Sequence, residues 1–249
     1  MMFFSDTQPF FRSNFHAHTT ASDGKRTPEE VMAMYRDAGY DILSITDHRK
    51  VTLPTNIPEG LLLLPGIEFD HLYHGQTAHI LGLGISTSIC SLWNEQYTPQ
   101  QTVQTINDCG GIAVLAHPAW SLNTPEFIAS LDGIIATEIW NSVSTLPFNG
   151  DRADSSSLID VTAASQGQLL AVMGNDDAHF YKEDFAAGWT MVQAAEKTVP
   201  AVLESLRAGR FYATRGPLIH QIEITKHELR VTCSPASAAV FYSARPWSG

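Results

Sequence analysis

The residues best suited to chemistry begin at Asn14-Phe15-His16-Ala17-His18, with Asp23-Gly24 close behind. In an extended chain, side chains at i and i+2 point to one face, so His16 and His18 project together. Two imidazoles aimed at one point suit a divalent ion of the zinc, manganese or iron type. The same residue types recur downstream. Of the 10 histidines, His16, His18, His48, His79, His117 and His179 fall at expected strand ends or strand positions, and Asp23, Glu68 and Asp177 accompany them. A core histidine is ordinarily single and satisfied by one hydrogen bond, whereas burying this many unpaired polar groups is costly. Together these side chains offer enough nitrogen and oxygen donors for two or three metal sites with room for a bridging water.

Such a set needs many elements to deliver it. Thr27-Pro28-Glu29-Glu30 opens a helix with a capping box, and Gly39 stops it. Short apolar runs at 41–46, 61–67, 77–83, 112–116, 133–140 and 169–173 read as strands. Helices are expected from Thr98-Pro99 to Gly110-Gly111, over 153–164 and over 199–208. Strands alternating with helices imply an α/β barrel or an open parallel sheet. The polar residues sit just after the apolar runs, where α/β barrels build their active sites. After Phe211 the pattern changes to short strands at 218–225, 227–233 and 238–243, a small antiparallel appendage. The expected division is 1–215 for the catalytic unit and 216–249 for the appendage.

The ordered set His16-Ala17-His18, Asp23-Gly24, Thr46-Asp47-His48, Gly66-Ile67-Glu68, His79, Ala116-His117-Pro118 and Asp177-Ala178-His179 resembles the polymerase and histidinol phosphatase (PHP) superfamily. The resemblance covers about 12–215 and is nearest to the small stand-alone phosphoesterases; the segment from Phe211 to Pro217 and the β tail resemble a bacterial subgroup of them. It implies a distorted (β/α)7 barrel and two or three metals. By this resemblance His16, His18, Glu68 and Asp177 hold the first metal. Glu68 bridges to a second, completed by His79 and His117, and Asp23, His48 and His179 hold a third. Many relatives have histidine where Asp23 stands, which would accompany a harder ion or weaker occupancy there. Glu68, Asp177 and His179 are read as the catalytic members: a bridging carboxylate lets two cations share a hydroxide, the nucleophile of an in-line displacement.

Around this set, Asp47 and Asp176 are candidates to orient the imidazoles, and Glu138 and Asn141 to face the site. Arg49 and Arg215 are candidate phosphate grips, ahead of Lys25 and Arg26, while His71, His74, His220 and His227 are left outside the ligand set. No GxGxxG, GxxxxGK[ST] or GxSxG pattern occurs, so dinucleotide, P-loop and serine-hydrolase chemistry lack support. The formal charge of -11 argues against duplex nucleic acid and anionic membranes as partners, and no segment has the apolar length of a membrane span. Three widely spaced cysteines and an N-terminus without a basic, apolar leader fit the cytoplasm; no oligomeric state is implied. The expected function is a metal-dependent phosphoesterase acting on a small phosphomonoester or short nucleotide. Alternatives are a phosphodiesterase or exonuclease on oligonucleotides, an amidohydrolase, or a non-catalytic metal-binding PHP module.

Overall fold

A computed structural model describes residues 2–4 and 7–240. The strands are β1 (Met2–Phe4), β2 (Phe10–Asn14), β3 (Ile42–Leu43), β4 (Leu62–Leu63), β5 (Gly66–Tyr73), β6 (Gln76–Leu83), β7 (Ile112–Leu115), β8 (Ile134–Asn141), β9 (Ala171–Asn175), β10 (Trp189–Gln193), β11 (Phe211–Thr214), β12 (Ile219–Ile224) and β13 (Leu229–Cys233). The helices are α1 (Pro28–Asp37), α2 (Ile89–Leu92), α3 (Pro99–Asp108), α4 (Pro125–Ala129), α5 (Ser156–Gln166) and α6 (Val199–Arg207), with 3-10 turns at Ser142–Thr145 and Pro147–Asn149. Two five-stranded sheets, β11-β10-β2-β3-β4 and β5-β6-β7-β8-β9, carry the site, and β1-β12-β13 forms a third.

Local sequence explains the helix starts. Thr27 and Thr98 each accept the N3 backbone N–H, and the side chains of Glu30 and Gln101 return the bond to the cap. Along the strands, alternation divides side chains between two cores. In β7 and the residue after it, Ile112, Val114 and Ala116 face a core between the sheets, whereas Ala113 and Leu115 face one shared with α3 and α4. On the other sheet, α1 buries Val31, Met32 and Tyr35 against Leu43, Ile45 and Leu63.

The strands do not close a hydrogen-bonded barrel among the described residues; the chain is mixed α/β. One reason lies between β5 and β6. His74 and Gly75 have φ of 49° and 78° and pair Tyr73 with Gln76 across a two-residue hairpin, so β6 must run antiparallel where a helical crossover would have kept it parallel. β10 likewise pairs antiparallel with β2 and β11. The two sheets are instead joined at two seams. At one, Asn14 and Asn175 exchange side-chain bonds with the backbone N–H groups of Asp176 and Phe15 at 2.8 and 2.9 Å, and Ala17 bridges Ala178. At the other, His48 bridges Glu68.

Several expected boundaries move. β2, expected to run on into His16 and His18, stops at Asn14 because a side chain of the other sheet takes its next backbone donor. Residues 153–155 bond back to β8, which delays α5 to Ser156. The tail strands are observed at β12 and β13, and the sheet they form also takes in β1. Of the expected 238–243 strand, 238–240 have no regular structure and 241–243 lie outside the described residues.

Candidate metal centre

The seams carry the ligand candidates. Beyond the Asn14–Asn175 splice, Asp177 N donates to His16 O at 2.8 Å and His18 N to Ala178 O at 3.0 Å, which sets His16, His18 and Asp177 side by side. Across the second seam, Arg49 N donates to Glu68 O at 2.8 Å, which brings His48 over Glu68. Asp177 and His117 sit at φ of 53° and 29°, backbone conformations rare outside glycine that persist where surroundings over-determine them.

All nine expected ligands converge in three overlapping groups: His16, His18, Glu68 and Asp177; Glu68, His79 and His117; and His18, Asp23, His48 and His179. Within each, the donor atoms lie within 4.8 Å of one another. Glu68 divides its oxygens. Oε2 lies 3.2, 3.0 and 3.3 Å from His16 Nε2, His18 Nε2 and His48 Nδ1, while Oε1 lies 2.9 and 3.4 Å from His79 Nδ1 and His117 Nε2. Asp177 Oδ1 stands 3.1 Å from the Nε2 atoms of both His16 and His18. At the rim, Asp23 Oδ2 lies 3.3 Å from His179 Nε2 and 3.7 Å from His48 Nε2. His18 belongs to two groups, since its Nδ1 is 3.4 Å from Asp23 Oδ1.

The donor set fits divalent cations. His16 Nε2, His18 Nε2, His48 Nδ1 and Asp177 Oδ1 are buried without a hydrogen-bond partner, and all belong to these groups. Uncompensated burial of such atoms is costly, and a coordinated ion would satisfy them together. Electrostatics agree. Burial opposes ionisation of Glu68 and Asp177, yet the surrounding histidines hold both carboxyls well below the usual range. Burial likewise opposes charge on His16 and His18, but the facing carboxylates raise both imidazoles well above their ordinary value. The centre thus draws in positive charge, which protons supply in the absence of cations.

A layer of buried polar groups aims the ligands. Glu138 accepts from His16 Nδ1 at 2.9 Å, from His117 N at 2.9 Å, and from the amides of Asn141 and Asn175 at 2.8 and 2.9 Å. With Nδ1 donating, His16 presents the lone pair of Nε2 to the centre. Asn141 also donates to Asp177 Oδ2 at 3.1 Å. Asp47 anchors the loop between His18 and Asp23 through Thr19 N, Thr19 Oγ1 and Ser22 Oγ at 2.7, 2.8 and 2.7 Å. Asp176 accepts from Tyr35, Ser142 and three backbone N–H groups of 186–188; burial raises its pKa to about 6 despite these donors. It shapes a loop and touches no ligand imidazole.

Neither candidate phosphate grip reaches the centre. Arg49 is committed to Asp70 through bonds of 2.7 and 2.5 Å, and Arg215 stacks over Trp140 with its guanidinium carbon 3.7 Å from the ring centroid. The cavity beside the ligands, about 250 Å³, is lined instead by Trp120, Val143, Ser144, Phe148, Asn149 and Phe180 as well as by ligand side chains. None of these wall residues is singled out by type or spacing, although Phe180 directly follows a ligand motif and Trp120 lies two residues after one. His71 lies apart, bonded to Thr102 Oγ1 at 3.0 Å.

No family model matches the sequence. Over 88 residues the chain is 35% identical to the 5'-3' exoribonuclease Rnm of Salmonella typhimurium and 34% identical to that of Escherichia coli. These alignments cover 32% of this chain and only 30% of each relative's length. Among solved structures, the fold matches a two-domain protein of Bacteroides vulgatus containing a predicted PHP-like metal-dependent phosphoesterase, with a TM-score of 0.62 and 18% identity over 83% of this chain and 65% of that one. The chain shares the PHP-like fold. That likeness in fold agrees with the superfamily resemblance carried by the seven motifs. The fold also matches, at a TM-score of 0.53 and 17% identity, an amidohydrolase of Chromobacterium violaceum with bound sulfate and no metal, over 69% of this chain and 89% of that one.

Proposed function

We propose that this PHP-like chain is a metal-dependent phosphoesterase that hydrolyses a small phosphomonoester or short nucleotide. The observation that carries the reading is Glu68, whose two oxygens face two different histidine groups from a buried position. Divalent ions held there would supply a low-pKa water at neutral pH and take up charge on phosphoryl oxygens. In this reading the first ion is held by His16, His18, Glu68 and Asp177, the second by Glu68, His79 and His117, and the third by Asp23, His48 and His179 beside His18. Zinc, manganese and iron all suit such a donor set. Glu138 and Asn141 keep the imidazole and carboxylate of the first group aimed.

The finer architecture belongs to the same reading. We read the two sheets as a distorted (β/α)7 barrel whose wall is completed at the seams by the isolated Ala17–Ala178 and His48–Glu68 bridges rather than by continuous strand pairing. Residues 1–215 form the catalytic unit and 216–249 the appendage, to which β1 contributes a strand. Separate, free cysteines at 90, 109 and 233 suit a reducing cytoplasm. None of the helices among the described residues is long and apolar enough to cross a membrane.

The similarity to Rnm favours a second reading, an exonuclease on single-stranded oligonucleotides. Against it stands the charge of -11 and a cavity without lysine or arginine among its described lining residues, where a nucleic-acid strand calls for a basic groove. The two are separated by comparing p-nitrophenyl phosphate with bis(p-nitrophenyl) phosphate in the presence of Mn2+, with a chelator control. Chelator-sensitive turnover of the monoester is expected; preference for the diester would instead support the nuclease.

A further inference from the structure

The cavity beside the metal centre has two unlike sides. One is the ligand set. The other is Trp120, Val143, Phe148 and Phe180, with only the short polar groups of Ser144 and Asn149 among them. Each aromatic ring is tied to the centre or to another ring. Trp120 lies edge-on to His117 with centroids 4.9 Å apart, and Phe148 meets Phe180 edge-to-face at 5.7 Å. Phe180 in turn lies 6.4 Å from the ring of His179. Phe148 is 72% exposed and stands on a 3-10 turn closed by Gly150 at φ 74°. Phe148 and Phe180, the latter 36% exposed, form an apolar pair at the mouth of a polar site, the kind of aromatic wall that lines ligand pockets.

Charge sharpens the assignment. With no lysine or arginine among the described residues lining this cavity, an anionic group on the alcohol half of a substrate would find no cationic side chain within it. Two hydroxyl- or amide-bearing residues would serve a polyol poorly, since most of its hydroxyls would lose water without a partner. A planar ring loses little on desolvation and gains edge and face contacts with the wall.

From this we infer that the alcohol half of the substrate is an uncharged aromatic ring, seated on Phe148, Phe180 and Trp120 while the ester faces the metal ligands. The inference rests on the phosphoesterase reading and adds a selectivity to it. Ring burial and aromatic contact together favour such an ester over a polyol ester by roughly 30-fold or more in kcat/KM.

The test compares benzyl phosphate with glycerol 2-phosphate on the metal-loaded protein. Both release alkoxides of similar basicity, so the ratio reports binding of the alcohol half rather than leaving-group reactivity. Cyclohexylmethyl phosphate serves as an apolar, non-aromatic control. Benzyl phosphate is expected to lead both, and Phe148→Ala and Phe180→Ala to shrink its advantage over glycerol 2-phosphate by roughly 5- to 10-fold. Phe148 lies mostly in solvent, so its variant is expected to fold. Equal rates for benzyl and glycerol esters, or a ratio unchanged in both variants, would overturn the aromatic assignment while leaving the phosphoesterase intact. A cyclohexylmethyl ester as good as the benzyl ester would overturn it too, in favour of a merely apolar wall. Absence of hydrolysis of all three esters by protein with its metals bound would overturn both readings.

Discussion

At the scale of single residues, the centre depends on side chains that never touch the cavity. Glu138 is the clearest. Its two oxygens receive four donors, from His16, His117, Asn141 and Asn175, all in the buried interior. Glu138→Gln keeps the shape but replaces one acceptor oxygen by a donor amide, so two of those four donors lose their partner. With the amide in the place of Oε1, His16 loses the bond that keeps Nε2 free for a cation; in the place of Oε2, His117 N and Asn141 lose theirs. Metal affinity is expected to fall about 10- to 100-fold, read by competition with a chromogenic chelator. Unchanged affinity would mean that His16 does not need this support. The ligands themselves were legible because histidine and carboxylate at strand ends are rare enough, taken together, to stand out. Glu138 and Asn141 were visible only as polar residues at a strand end, and Asn14 and Asn175 not at all, because their partners lie about 160 residues away in sequence.

At the scale of elements, the loop between β2 and α1 carries the rim ligand Asp23, and Gly24 lets it close. A Cβ at position 24 would stand 2.3 Å from His18 O and 2.7 Å from Thr19 N, both backbone atoms of the ligand-bearing segment. Gly24→Ala must therefore push 23–25 outward, against the bond from Lys25 N to His179 O at 2.8 Å. The expected result is loss of one bound metal with the other sites retained, measured by elemental analysis after dialysis. Full metal content in that variant would show that Asp23 is dispensable to the third group. Helix starts were legible from Thr-Pro pairs and their N3 partners. The antiparallel course of β6 was not, since its turn uses His74, a residue without the strong positive-φ preference of the Asn-Gly turns that mark hairpins. β10 was missed for a related reason: Trp189 to Gln193 lacks the long apolar run of the other strands and is placed by pairing with β2.

At the scale of the whole molecule, function follows from where two sheets meet. The Glu68, His79 and His117 group lies on one sheet, but the other two groups draw on both: His16 and His18 extend from the first sheet, Glu68 and Asp177 belong to or extend from the second, and the seams bring them together. The α/β alternation and the placement of chemistry at strand ends could be read in advance, because both are local patterns. The division into two sheets could not, because it is decided by side-chain splices and hairpin geometry far apart in the chain. The central claim is that this meeting point holds the ions on which phosphoester hydrolysis depends. Its most direct test is to strip the protein with chelator, add Mn2+ back in counted equivalents, and follow p-nitrophenyl phosphate turnover alongside bound metal. No turnover is expected in the stripped protein, then a rise to a plateau at two to three equivalents, with Glu68→Ala binding less metal and remaining inactive. Full turnover by the stripped protein, or by Glu68→Ala, would contradict it.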